Sequence, residues 1–209
     1  PPPERELLSR AEIRALLRVL LQPGILGMLL VLALHNMSVI AFMSMMPLYL
    51  ETVHGFSPGL TGVAFSTFVV TGTVLAPVVG RVSDRVGRKP IALVGIFGGG
   101  VCAWLVTIAP GTVALFAALM ATGMLMLSVR IVLMAMALEL VGGRETTVIG
   151  FLFTLGEAPA ALATALAGLV GEIDLSLALV LASGLSLASG AAAAIHSFTP
   201  ATAHTEAAS

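Results

Sequence analysis

The sequence predicts an all-α membrane protein of six transmembrane helices, and three observations predict it. Only 10% of the residues are charged, against about 25% in an ordinary soluble protein. Hydrophobic residues make up 58% of the chain, and its mean hydropathy is +1.06. Six apolar runs are long enough to supply the roughly 20 residues that a helix needs to cross hydrocarbon. A soluble core cannot hide that much apolar surface, so the solvent for most of this chain is lipid. Membrane strands are excluded because the runs lack period-two alternation and are rich in Ala, Leu, Met and Gly.

The elements follow in order. Residues 1–22 form a leader on the cytoplasmic side. Within it Ser9-Arg-Ala-Glu12 is a capping box. Leu8, Leu16 and Leu20 can share one face, while Arg10, Arg14 and Arg18 repeat every four residues. Such a helix either lies on the inner membrane surface or serves as a solvated linker. Residues 23–197 are the membrane domain, with runs at Gly24–Leu50, Ser57–Val79, Ile91–Ala109, Thr112–Leu138, Thr147–Val170 and Leu175–His196. Ser57-Pro58 reads as the N-cap and first residue of the second helix, and Pro90 opens the third. Pro110-Gly111 separates the third from the fourth. Gly142-Gly143 ends the fourth, and Thr146 or Thr147 caps the fifth. Residues 198–209 form a polar cytoplasmic tail.

Charge orients the bundle. Arg5, Arg10, Arg14 and Arg18 precede the first helix, Arg81, Arg85, Arg88 and Lys89 lie between the second and third, and Arg144 lies between the fourth and fifth. All of these fall on one side of a six-helix serpentine. The opposite connections carry Glu51, His54, Glu172 and Asp174 and no Lys or Arg. Basic residues stay cytoplasmic, so both termini are expected inside, in a cytoplasmic (plasma) membrane. A net charge of −1 says nothing in favour of nucleic acid. Cys102 is the one cysteine, which excludes a disulfide framework and a cysteine-based metal site. His-Glu-x-x-His, Gly-x-Ser-x-Gly and P-loop patterns are absent, so an intramembrane enzyme is disfavoured.

The stretch GRVSDRVGRKP, Gly80 to Pro90, concentrates five charges. A generic positive-inside loop explains its bases. It does not explain Gly80, Asp84 and Gly87 at their spacing. Gly80 would allow close approach at a helix end, Gly87 a tight turn, and Asp84 would suit a helix N-terminus or an Arg partner. Gly80-x-x-x-Asp84-Arg85-x-Gly87-Arg88-Lys89 resembles the cytoplasmic loop motif of the major facilitator superfamily. PLYLETVHGFSPGLTG resembles that family's first-to-second helix junction. ELVGGRETTVIGFLFTLGEAPAALATALAGLVGE resembles its fourth-to-fifth junction and Gly-rich fifth helix. The resemblance runs from Pro23 to His196. It implies a carrier driven by protons or another gradient that works by alternating access. It also implies that Asp84 gates the inner face, with Arg85, Arg88 and Lys89 holding the loop.

That family has two six-helix halves with the substrate between them, and six helices here imply one half, folded as two three-helix inverted repeats. The basic leader resembles the family's central linker. The fourth helix lacks an Arg-x-x-Gln-Gly pattern. Both favour the C-terminal half, although an intact loop motif is commoner in N-terminal halves. The expected partners are the bilayer, a small-molecule substrate and a second six-helix half. That half would come from the same longer chain, another protein or a second copy. No cofactor is expected beyond the proton gradient.

Ionisable side chains inside spans are expensive and so are functional candidates. These are His35, beside Asn36 and Ser38, together with Arg130 and Glu157. Arg130 lies thirteen residues before Gly143 and Glu157 fourteen after it. At about 1.5 Å per residue they reach equal depth on antiparallel helices. They are expected to meet, either as a static lock or as a pair that carries a coupling proton or holds an anionic substrate. His35 and Asn36 form either a satisfied polar cluster or a cavity-lining contact.

All ten methionines fall in the first and fourth helices, equivalent positions of the two repeats. Met37, Met43, Met124, Met126 and Met134 are candidates for lining a cavity that accepts varied apolar ligands. Packing filler is the alternative. Gly156, Ala160, Thr164 and Gly168 on the fifth helix, and Gly95 and Gly99 on the third, are expected to mark close crossings. Pro159 is expected to kink the fifth helix beside Glu157.

These readings favour proton-coupled efflux of an apolar or amphipathic molecule. An uptake carrier for a sugar or metabolite, and a half-size partner or assembly subunit that does not transport, are the alternatives.

Overall fold

The computed structural model describes residues 21–141 and 146–196. The leader with its capping box and arginines, Gly142-Gly143, Arg144 and the polar tail lie outside the described residues. Six helices follow one another: α1 (Pro23–Thr52), α2 (Pro58–Val86), α3 (Arg88–Ile108), α4 (Gly111–Val141), α5 (Thr146–Gly171) and α6 (Leu175–Ile195). All six are long and apolar enough to span a bilayer. No strand occurs among the described residues.

Local chemistry sets the helix ends. Ser57 caps α2, its hydroxyl accepting from the Leu60 amide at 3.3 Å, with Pro58 at the first helical position. Asp174 caps α6 by accepting from the Ser176 amide at 2.6 Å. The N-cap of α5 is outside the described residues, and the helix itself starts at Thr146.

Two boundaries differ from the sequence expectation. α2 does not stop at Val79 but continues to Val86, and α3 begins at Arg88 rather than Pro90. The stretch expected to be a loop is therefore helical apart from Gly87. A helix of 29 residues is about 44 Å long at 1.5 Å per residue, against roughly 30 Å of hydrocarbon. Its last turns can therefore stand in headgroup and water, where Arg81, Asp84 and Arg85 cost nothing. Charge ends the apolar run without ending the helix. Gly87 ends it, at φ 109°, a conformation that any side chain would strain. Pro90 is tolerated because amides in a first turn have no intrahelical acceptor.

The packing is symmetric about a pseudo-twofold. The main partnerships are α2 with α4, α5 with α1, α1 with α6, α4 with α3, and α3 with α6. Exchanging α1 for α4, α2 for α5 and α3 for α6 maps this set onto itself, which is the signature of two three-helix repeats. α2 and α5 are the least enclosed helices, and α4 and α5 barely touch.

Lipid offers helices no hydrophobic reason to associate, so small residues and hydroxyls do the joining. At the α2–α4 crossing a Cβ on Gly72 would collide with the Gly123 carbonyl, and one on Gly123 with the Phe68 carbonyl. Gly95 and Gly99 of α3 admit Val129 and Met126 of α4. Ser186 donates to the Ile96 carbonyl at 2.8 Å, Ser189 to Val31 at 2.9 Å, and Ser38 to Ala182 at 2.6 Å. These three bonds tie α6 to α3 and α1. Large side chains fill the remaining core, with Phe42 and Phe68 at a ring separation of 5.4 Å.

On α5 the buried line is Gly156, Ala160, Ala163 and Ala167, not the expected Gly156, Ala160, Thr164 and Gly168. A strict four-residue step drifts about 40° per turn off one face. The observed steps of four, three and four hold the face against α1. Gly168 has open space where a Cβ would go. α5 also runs unbroken through Pro159.

Candidate functional site

Arg130 of α4 and Glu157 of α5 form an ion pair between Nη2 and Oε1. Their equal depth places them level, and the gap between α4 and α5 leaves each side chain 39% exposed. It joins two helices that otherwise hardly touch, in the middle of two apolar spans. An opposite charge is what makes each ion tolerable there.

His35 and Asn36 sit on α1 behind this pair. His35 is fully buried, and its Nε2 lies 3.1 Å from the Met126 carbonyl of α4. A carbonyl only accepts, so Nε2 carries the proton. Nδ1 is buried without a partner among the described residues. Asn36 is also buried and donates from Nδ2 to the Gly156 carbonyl of α5 at 3.3 Å. Among the described residues, α4 and α5 enclose both side chains where α1 packs between them, so they form a buried polar cluster.

The methionines divide. Met124 is 39% exposed, and Met37, Met43 and Met134 are half-buried. Met126 is fully buried, wedged against Gly99. It is a packing residue and not a cavity surface, since its position on α4 faces the missing side chain of a glycine.

At the basic end, Arg88 bridges two acids. Its Nη2 reaches Asp84 at 3.2 Å, one turn earlier across Gly87, and its Nη1 reaches Glu139 of α4 at 3.0 Å. Lys89 donates to the His196 carbonyl at the end of α6, at 2.9 Å. Arg88 and Lys89 thus tie the start of α3 to the ends of α2, α4 and α6. Arg85 is exposed and forms no ion pair or hydrogen bond among the described residues, so it does not hold this junction. Gly80 is not a close-approach point, as the nearest atom to a Cβ there would be Ile131 Cγ2 at 4.0 Å. Asp84 keeps 62% of its side chain exposed beside Arg88. Glu139 was not anticipated. Its signal was present, because it is the one acid of α4 and it falls level with a basic junction.

No cluster of His, Cys, Asp and Glu able to hold a metal occurs among the described residues.

Six apolar spans in paired repeats, a charged pair inside them and a charged latch at one end define an integral membrane protein of the carrier class. The sequence model of the Major Facilitator Superfamily matches residues 28–208, and the chain belongs to that superfamily of transporters. No curated protein matches the chain.

Proposed function

We propose that this chain is one half of a proton-coupled secondary carrier that exports an apolar or amphipathic small molecule by alternating access. The observation that carries the reading is the Arg130–Glu157 pair, half open and mid-membrane, on two helices with little else between them. Protonating Glu157 cancels its charge and leaves Arg130 uncompensated, a penalty of several kcal/mol in a low-dielectric setting. The protein escapes that penalty by rocking this half, with α4 and α5 held together, against the other half until Arg130 meets water or an anionic group. A proton thereby favours one conformation over the other, which is what coupling requires. An apolar substrate is suggested by the methionines of α1 and α4: Met124 is exposed, and Met37, Met43 and Met134 are half-buried and adaptable.

In this reading the second six-helix half packs on the open faces of α2 and α5. The basic end faces the cytoplasm of a plasma-membrane carrier, and Asp84 is free to meet that other half. The protein needs no cofactor and performs no enzymatic step.

The test is flux in sealed vesicles of the intact protein, with a proton gradient imposed and collapsed, across a panel of amphipathic dyes and sugars. The expected result is gradient-dependent dye export that Glu157→Gln abolishes while the protein still folds and inserts. Gradient-driven sugar entry would replace this reading with an uptake carrier. Flux unaffected by Arg130→Ala and Glu157→Gln would remove the pair from the mechanism. No flux for any substrate would favour a non-transporting partner subunit.

A further inference from the structure

α4 and α5 carry the two halves of the ion pair, yet almost nothing passes directly between them. Something else must set their spacing. The adjacent residues His35 and Asn36 of α1 reach one helix each. His35 bonds the Met126 carbonyl, which lies one turn before Arg130 on α4. Asn36 bonds the carbonyl of Gly156, the residue next to Glu157 on α5. Both contacts are buried. Gly156 also packs its open Cα on Leu32 of α1, with Leu32 Cβ at 3.6 Å from where a Cβ would stand. Side chains of two successive residues point in directions about 100° apart on a helix. One dipeptide can therefore grip two flanking helices at a single depth.

We infer that His35 and Asn36 are positioning residues: they clamp α4 and α5 onto α1 and so fix the gap across which Arg130 and Glu157 meet. The ion pair is then a consequence of the spacing and not its cause. Breaking the pair leaves the gap unchanged, and breaking the clamp lets the gap vary while α2 and α3 still hold α4 and the rest of α1 still holds α5. Both grips end on backbone carbonyls. A side chain in either helix can therefore be exchanged without loss of the clamp, whereas loss of either donor on α1 cannot be replaced. For its importance the inference rests on the carrier reading of Arg130 and Glu157. Its geometry does not depend on that reading.

The experiment measures the α4–α5 distance by pulsed electron spin resonance in the intact protein, reconstituted without substrate or gradient. Spin labels go on Ile131→Cys and Leu155→Cys, both exposed positions at matching depth, in a Cys102→Ala background. A control pair on Val94→Cys and Leu177→Cys reports on α3 and α6. The expected result is a single narrow distance that broadens or shifts in His35→Leu and in Asn36→Leu. It is kept by His35→Gln, whose amide still donates, and by Glu157→Gln. The control distance stays the same throughout. His35→Ala and Asn36→Ala carry the same contrast if the leucine variants do not fold. An unchanged α4–α5 distance in the donor-free variants overturns the inference. So does a Glu157→Gln change as large as that of Asn36→Leu, because the pair would then be the spacer. A control distance that broadens equally also overturns it, by showing general core damage. A protein that shows the clamp but no gradient-dependent flux refutes the carrier reading alone.

Discussion

Gly123 shows how one absent methyl group decides a helix crossing. Its Cα faces the Phe68 backbone of α2, with Phe68 Cα at 3.0 Å from where a Cβ would stand. Backbone cannot rotate aside as a side chain can. Gly123→Ala is expected to cost about 3 kcal/mol, the upper end of an overpacking penalty, read as a lower thermal midpoint in detergent. Gly168→Ala, where nothing lies within 4 Å, is expected to leave the midpoint unchanged. A glycine in the sequence announces only that close approach is allowed. Gly123 and Gly168 look alike there, and only the partner helix tells them apart. Arg130 and Glu157 were legible for a different reason. Depth in a serpentine is a matter of counting residues from a turn, and two opposite charges at one depth in lipid have few other partners. Met126 was not legible, since a methionine on α4 reads the same whether it faces a cavity or Gly99.

The α2–α3 junction is a matter of whole helix ends. Arg88 touches Asp84 and Glu139, whose side chains are 62% and 55% exposed. Pairs that wet contribute about 1 kcal/mol or less each. Arg88→Ala is therefore expected to change overall stability by no more than that. It is also expected to speed hydrogen exchange at the last turns of α2 and α4, relative to the α1–α6 contact. A collapse of the whole fold in Arg88→Ala would show that the junction is a structural keystone instead of a latch. The charges of this segment were plain in the sequence, and so was the turn at Gly87. Its helical state was hidden because a polar stretch after an apolar run reads as a loop, although the helix merely leaves the hydrocarbon there.

At the scale of the molecule, the bases of the described connections gather at one end, where Asp84 and Glu139 pair with Arg88, and the other end carries acids without Lys or Arg. Arg81, Arg85, Arg88 and Lys89 lie at one end, with Glu51, His54, Glu172 and Asp174 at the other. If the basic end is inside, as the excess of Arg and Lys there predicts, Arg85→Cys in sealed cells is expected to resist a membrane-impermeant thiol reagent, and Ile173→Cys, 82% exposed, to react. The opposite pattern would invert the bundle and make the proposed exporter an importer by the same conformational cycle. The open faces of α2 and α5 belong to this scale too. No property of either helix alone says that it is the less enclosed one. That follows from which helices surround it.

The sequence by itself determined the class, the number and order of spans, the charge asymmetry, the turn at Gly87 and the level of Arg130 with Glu157. Each of these is local or one-dimensional: the length of an apolar run against the thickness of hydrocarbon, the backbone freedom of one residue, a count from a loop. Tertiary structure alone decided which face of α5 is buried, that Met126 is packing, that His35 and Asn36 are sealed between helices, and that Arg88 reaches Glu139. Those depend on the tilt and rotation of one helix against another. In lipid, close packing of small residues and buried hydroxyls sets them, and hydrophobicity does not. An apolar residue that faces lipid and one that faces protein then look the same in sequence, and only contact separates them.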